Sequence, residues 1–449
     1  MKLPRYPKYK DSGVKWLGQV PEHWEVIRLK YVASMKGRLG WQGLRSDEYT
    51  EEGPFLVTSE HFTNDRVDWN RCFHVSEDRY AIAPEIQLRP DDVLMMKDGA
   101  AMGKLAYVDH LPGPACLNSH LLLFRPLDGR FENRFLYYVL GGPDFNGYMI
   151  RERTGTTFFG ISQERIASFP FAIPPRSEQE RILRFIDVET SRIDALIIQQ
   201  QRLISLLKEK RQTSISHAVT KGLNPKAVMK PSGVKWLGEV PAHWEVYRLT
   251  SLYREIIEAG NGELPILSVS IHSGVSDRQL DDEEMDRKVN RSEDAGKYKK
   301  VLPGDLVYNM MRAWQGGFGT VTVPGQISPA YVVARPKREI SSRFVELLLR
   351  TPQAIEEIRC HSYGVTDFRL RLYWDKFKII RVALPPKEEQ EKILARIEKM
   401  NQKFDELTEA SNSSIATLQE RRASLISAAV TGQIDVRNYP PAEAPAVCQ

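Results

Sequence analysis

The chain has 449 residues, 42% hydrophobic and 27% charged, with a net charge of +5. This is the composition of a soluble globular protein long enough for two to four domains, and its mild positive balance permits a nucleic-acid partner without nominating one. Four scattered cysteines (Cys72, Cys116, Cys360, Cys448) argue against a zinc ribbon or disulfide framework, and with no signal peptide or membrane-length apolar run the expectation is a cytoplasmic protein.

The first element is the block Ser12-Gly-Val-Lys-Trp-Leu-Gly18, which recurs as Ser232-Gly-Val-Lys-Trp-Leu-Gly238. Residues 11–29 and 231–249 are identical at 15 of 19 positions. The chain is therefore one unit written twice, and the doubling must be explained. His23 and His243 fall at matching points and are read as structural rather than catalytic.

The stretch 30–173 mixes short β-rich runs, such as 115–125, with turn signals such as Arg89-Pro90-Asp91-Asp92 and a helical pattern at 132–140. Within it, Gly99-Ala-Ala-Met-Gly103-Lys104 superficially resembles a phosphate loop. It has one residue too few between the glycines, and Leu105 replaces the magnesium-binding hydroxyl.

A proline pair, Pro174-Pro175, then opens a helix, with Ser177 and Glu180 placed as a capping box. Two apolar rows at heptad spacing follow, Ile182, Leu196 and Leu203 on one, Ile186, Ile193 and Leu207 on the other. Neither proline nor glycine occurs from 177 to 221, so the helix can reach roughly 60 Å at about 1.5 Å per residue.

The second half repeats this order. Region 250–384 carries β-rich runs at 305–310 and 331–334 and a helical pattern at 342–349. It shares a faint frame with the first middle: Pro90-x-Asp92 matches Pro303-x-Asp305, Arg125-Pro126 matches Arg335-Pro336, and Arg134-Phe135 matches Arg343-Phe344. The acidic run at 281–286 is more simply a solvated loop than a metal site. The closing helix follows Pro385-Pro386, and 174–220 aligns with 385–431 without a gap at 19 identities in 47. Its rows are Ile393, Met400, Leu407 and Ile397, Phe404, Leu418, and both helices carry a polar interruption, Gln200 and Ser411. The economical arrangement packs the two helices antiparallel about a pseudo-twofold axis; the alternative lays each on its own domain. The tail from 438 is expected to be disordered.

No catalytic constellation is present: there is no G-x-G-x-x-G after a strand, no H-E-x-x-H and no G-x-S-x-G. Three motifs in order carry a resemblance instead. They are His-Trp-Glu-Val-x-Arg-Leu at 23–29 and 243–249, the turn Pro303-Gly304-Asp305-Leu306, and the exit motif Ile-Pro-Pro-x-x-Glu-Gln-Glu-x-Ile-Leu, at Ile173–Leu183 and Leu384–Leu394. Over nearly its whole length the chain resembles the specificity subunit of type I restriction–modification systems.

The resemblance implies an α/β (α+β) protein with two similar target recognition domains separated by two long antiparallel coiled-coil helices. The expected boundaries are 1–174 and 223–385 for the domains, 175–222 and 386–437 for the conserved helical regions, and 438–449 for the tail. It implies a non-catalytic reader of double-stranded DNA, each domain recognising one half of a split asymmetric site. Two methyltransferase subunits would dock on the helices, with restriction subunits as further partners. No cofactor is expected in this chain; S-adenosylmethionine, ATP and magnesium belong to the partner subunits.

A reading surface needs Arg and Lys for phosphates and Arg, Lys, Asn or Gln for base edges. In the first domain the candidates are Lys36, Arg38, Trp41, Gln42 and Arg45, then Lys97 and Lys104, then Arg151, Arg153, Thr156 and Thr157. In the second they are Asn309, Arg312, Trp314, Gln315, His361, Tyr363, Arg369 and Arg371. Each segment is otherwise a solvated loop, and Trp41 and Trp314 are otherwise core residues. Partner docking falls to the repeated helix ends: Glu209, Arg211, Ile215 and Val219, with Glu420, Arg422, Ile426 and Val430. For their apolar members an intramolecular helix contact is an equal alternative. Two competing readings are a methyltransferase or nuclease in its own right, for which Asn438-Tyr-Pro-Pro441 has the wrong order, and a protein-binding scaffold.

Overall fold

The structure is a computed structural model describing residues 4–37, 44, 48–127, 131–155, 160–260, 263–271, 274–278, 297–364 and 370–440. The chain divides into two compact units, Met1–Gln200 with Ser413–Gln449, and Gln201–Asn412.

In the first unit the repeated block is the loop of a hairpin, Tyr9–Asp11 against Gln19–Pro21. Gly13 and Gly18 hold φ of +69° and +58°, a region costly for residues with a Cβ, and Ser12 N–H closes the loop on the Gly18 carbonyl at 2.9 Å. The entry strand Glu25–Arg28 pairs antiparallel with the exit strand Pro170–Ile173. The two ends of the first domain are thus stitched together beneath the long helix.

Between them lies a six-stranded sheet. Its order is Ala33–Lys36, Leu121–Pro126, Val93–Met96, Leu105–Tyr107, Arg66–Val67, Phe62–Thr63. Helix Asn133–Leu140 buries Phe135, Leu136, Val139 and Leu140, the face that a 3.6-residue period predicts. A smaller sheet of Ala115–Leu117, Tyr49–Val57 and Phe73–Val75 has its own core around Leu56, Val75, Ile86 and Cys116. The expected run 115–125 is therefore two strands split by a turn.

The second unit repeats the frame with four strands in the corresponding order, Tyr253–Ile256, Tyr331–Pro336, Leu306–Asn309, Phe318–Thr320. Helix Ser342–Leu349 follows. The shared dipeptides have a physical cause. Arg125 grips the buried Asp92 carboxylate with Nε at 2.6 Å and Nη2 at 2.7 Å, and Asp92 also accepts the Arg89 N–H. Arg335 grips Asp305 in the same way at 2.9 and 3.0 Å, and Asp305 accepts the Leu302 N–H. The carboxylate closes the turn and the guanidinium ties that turn to the neighbouring strand.

The long helices are Arg176–Lys221 and Lys387–Val430. Their starts differ from the expected capping box. Ser177 lies within the first turn, whose N–H groups at Glu178 and Gln179 bond the Pro175 carbonyl. The side chain that closes the start is Gln179, donating to the Pro174 carbonyl and accepting the Glu132 N–H; Gln390 does the same with Pro385 and Ser341. The amide donates from its nitrogen and accepts at its oxygen, two atoms facing opposite partners, so it holds the helix start and the domain together.

The covered stripe of the first helix is Ile193, Ile197, Gln200, Ile204, Leu207 and Arg211. Leu196 and Leu203, expected in the seam, are exposed, because the apolar pairs at 196–197 and 203–204 turn their second member inward. On the second helix Phe404, Ser411 and Leu418 are covered as expected, whereas Leu407 is exposed beside a half-buried Thr408. Within the first unit Arg422 meets Asp194 at 3.1 Å, and within the second Arg211 bonds Asn401 at 2.9 Å and Asp405 at 2.6 Å. In each unit the two helical segments run antiparallel. No helix among the described residues is long and apolar enough to cross a membrane.

Candidate nucleic-acid interface

Each domain offers one sheet edge where loops from distant parts of the sequence converge. In the first, the hairpin connection 97–104 joins strands Val93–Met96 and Leu105–Tyr107. Strand Leu121–Pro126 starts at the same edge, with Leu121 opposite Met96. The turn 118–120 therefore stands beside the connection. Strand Ala33–Lys36 ends there too, with Lys36 opposite Leu123. The loop after helix Pro143–Glu152 closes on itself between Thr154 and Gly160, and Gly160 also bridges to Asp98.

The second domain builds the same edge. Connection 310–317 lies next to turn 328–330, and Tyr331 is opposite Asn309. The loop after helix Pro352–Cys360 closes through reciprocal Tyr363–Arg371 bonds of 3.0 and 2.8 Å. It is tied to the connection by Leu372 N–H on the Met310 carbonyl at 2.9 Å, as Ile161 N–H is tied to Lys97 in the first. Three candidate segments per domain are thereby gathered from about 120 and 60 residues of chain.

The side chains on the two edges differ. Lys97 Nζ donates to Asp98 at 2.8 Å, and His120 Nδ1 lies 3.3 Å from the same oxygen. His120, half-exposed, was not legible as a candidate, because a lone histidine after a turn carries no pattern. Arg153 is exposed on the closed loop, whereas Arg151 is drawn away, its guanidinium 4.7 Å from the Trp16 ring. Lys104 gives its ammonium to the Ser59 and Phe62 carbonyls at 3.3 and 3.1 Å. Arg38, Trp41, Gln42, Arg45, Thr156 and Thr157 lie outside the described residues, as does Arg369 in the second domain.

In the second domain Arg312 donates to the Gln315 amide oxygen at 2.7 Å, presenting a joined guanidinium–amide pair. Asn309 is spent on its own turn, accepting the Met311 N–H. Trp314 donates to the Met311 carbonyl and packs partly on the domain core. Tyr363 is 52% exposed, with the Lys376 ammonium 5.2 Å from its ring. The tyrosine hydrogen bond raises the Lys376 pKa, so this further cation, absent from the sequence candidates, stays charged. His361 pairs with Glu357 at 3.2 Å, and Arg371 is exposed.

The helix-end residues are largely engaged within the chain. Val219 and Val430 are buried in the second and first domain cores, with Ile215 and Ile426 packed against them. Arg211 and Arg422 hold the helix–helix contacts above, leaving Glu209 and Glu420 exposed.

The repeated His-Trp and Glu-Gln motifs meet. Glu178, buried, accepts bonds from Tyr6 Oη (2.5 Å) and Trp24 Nε1 (3.1 Å), with His23 Nε2 at 2.7 Å. Glu389 meets Trp244 Nε1 at 3.3 Å and His243 Nε2 at 2.6 Å. Both histidines thus orient a structural carboxylate. Cys72 is buried and its thiol is pushed up to about 12 by burial, the opposite of an activated nucleophile. Among the described residues no cluster of three or more His, Cys, Asp or Glu is arranged to hold a metal.

Comparison with known proteins agrees with this architecture. Residues 21–206 match the type I restriction modification DNA specificity domain. The chain is 22% identical over 448 residues to the type I restriction enzyme MjaVIII specificity subunit of Methanocaldococcus jannaschii, covering 96% of this chain and 98% of that one. In fold it is similar to a chain solved in a study of complex assembly and conformational transition of the type I R-M system (TM-score 0.61, 14% identity, 92% and 98% covered). It is likewise similar to the HsdS subunit from Thermoanaerobacter tengcongensis (TM-score 0.52, 15% identity, 92% and 98% covered). Residues 21–206 thus match a type I restriction modification DNA specificity domain, and over nearly its whole length the chain is similar to type I restriction enzyme specificity subunits.

Proposed function

We propose that this non-catalytic subunit reads a bipartite, asymmetric double-stranded DNA site, one half with each domain, and carries two methyltransferase subunits. The observation behind this reading is one sheet edge built twice on the same Asp–Arg frame and furnished with different side chains. Lys36, Lys97, His120 and Arg153 stand on or beside the first edge, and Arg312, Gln315, Tyr363, Arg371 and Lys376 on or beside the second. A common frame with different donors and acceptors recognises different base edges. Half-sites one helical turn apart would be about 34–36 Å from each other. S-adenosylmethionine would belong to the methyltransferase subunits, and ATP and magnesium to restriction subunits where these join.

The test is exchange of residues 30–173 for the first domain of another family member, followed by mapping of methylated bases in the reconstituted complex. One half-site should change and the other persist; a change in both would refute separate readers. Arg312→Ala should relax or weaken the second half-site alone, by about 1–3 kcal/mol at a base contact. An unchanged methylation pattern and affinity would remove Arg312 from the reading surface.

A further inference from the structure

The two halves are most alike where neither the candidate reading edges nor the helix seam requires it. Identity reaches 15 of 19 positions in the hairpin block, against 19 of 47 across the helices that must pack together. Burial accounts for Val20, Trp24 and Leu29 and for Val240, Trp244 and Leu249, and the positive φ accounts for the glycines. It does not account for Lys15 and Arg28 or for their counterparts Lys235 and Arg248. All four are exposed, and among the described residues no side-chain hydrogen bond or ion pair engages any of them.

In the first unit Arg28 borders an open groove of about 360 Å³, lined also by Val14, Trp16, Val26, Ile27, Tyr148, Ser168 and Pro170. Four of these eight are repeated without change as Val234, Trp236, Val246 and Arg248, with the same degree of burial, and Ile27 is replaced by Tyr247. Strand pairing repeats as well: Arg28 lies opposite Pro170 and Arg248 opposite Arg381. The indole Nε1–H of Trp16 is withdrawn from solvent without an acceptor, and so is that of Trp236. An unmet buried donor costs about 1–3 kcal/mol, and here the cost recurs in both halves.

We propose that this groove and its counterpart are a duplicated docking site, each seating an acidic-apolar segment of one copy of the same protein, the methyltransferase subunit. Surfaces that contact two different half-sites must differ, whereas surfaces that contact two copies of one partner must not. Apart from Arg28 and Ser168 the walls are valine, isoleucine, tryptophan, tyrosine and proline, which suit an apolar side chain and offer few donors to a phosphate chain. The unpaired Arg28 at the rim suits a carboxylate, and Lys15 adds a second exposed cation between Val14 and Trp16 in the sequence. This inference rests on the reading of the chain as a specificity subunit.

The test uses the full chain and the methyltransferase subunit of its own system, with stoichiometry measured by native mass spectrometry and affinity by titration. Wild type should take up two copies. Arg28→Glu or Lys15→Glu should weaken uptake of one copy by about tenfold, and Arg28→Glu with Arg248→Glu should weaken both. Thermal unfolding should be unchanged, since these side chains are exposed and unpaired. Two copies held at wild-type affinity by the Arg28→Glu/Arg248→Glu and Lys15→Glu/Lys235→Glu variants would overturn the groove alone. Unchanged docking with weakened non-specific DNA binding would also overturn it and place the DNA backbone there. A wild-type chain that takes up no methyltransferase subunit would sink the specificity-subunit reading itself.

Discussion

Glu178 shows how one carboxylate can account for a whole sequence motif. It gathers a phenol, an indole and an imidazole at the start of the first long helix, and its burial with the Tyr6 hydroxyl pushes that hydroxyl well above its ordinary pKa. Among the described residues Glu389 has the indole and the imidazole alone, because Lys226 stands where the repeat would place the tyrosine, and its side chain is 30% exposed against 6% for Glu178. The two sites are therefore unequal. Glu178→Ala strands three buried or half-buried donors and should cost about 3 kcal/mol, whereas Glu389→Ala should cost about 1 kcal/mol. Chemical denaturation of the two variants tests this, and equal losses would show that Tyr6 adds nothing. The motifs were visible in the sequence, but their meeting was not, since a gap of 154 residues separates Trp24 from Glu178 and no local period joins them.

At the scale of elements, the heptad spacing located both helices and most of one apolar row but misassigned the other. Where two apolar residues stand side by side, as at Leu196-Ile197 and Leu203-Ile204, spacing cannot say which faces inward, and the structure turns the isoleucines in. Ile204→Ala should therefore lower stability by about 1–2 kcal/mol, and Leu203→Ala by less than about 0.5 kcal/mol, in denaturation of the chain alone. The reverse order would restore the expected seam. The frame strands were legible because their anchors are chemically obligatory: a buried Asp92 without Arg125, or Asp305 without Arg335, is an unpaired charge. The reading loops were legible only as loops. On the proposed function their side chains would answer to a DNA sequence rather than to a core, so no packing rule constrains them.

At the scale of the molecule, the first unit is assembled from both ends of the chain, and the last described residues fasten it. Asp435 N–H bonds the Pro4 carbonyl, Tyr9 Oη bonds the Gly432 carbonyl, and Arg437 lies 4.9 Å from the Tyr6 ring. Tyr439, expected in a disordered tail, instead packs edge-on against Phe185 at 4.7 Å and donates to Glu189. The fastening holds a carboxylate, Asp435, whose side chain receives Arg437 Nε at 2.9 Å and Nη2 at 2.6 Å. The Arg437 hydrogen bond holds the Asp435 carboxyl below its ordinary value of 3.8. A depressed carboxylate contributes stability that is present above its unfolded value and is lost as the pH falls through its folded value. Asp435→Asn should thus lower the melting temperature of the first unit at neutral pH by about 2 °C, a modest loss because the pair is partly screened by solvent. The difference from wild type should shrink as the pH is taken below about 4, where the wild-type carboxylate protonates as well. Thermal unfolding of both proteins across that range measures it, and a gap that stays constant down to acid would show that the Asp435 charge takes no part in holding the two ends together.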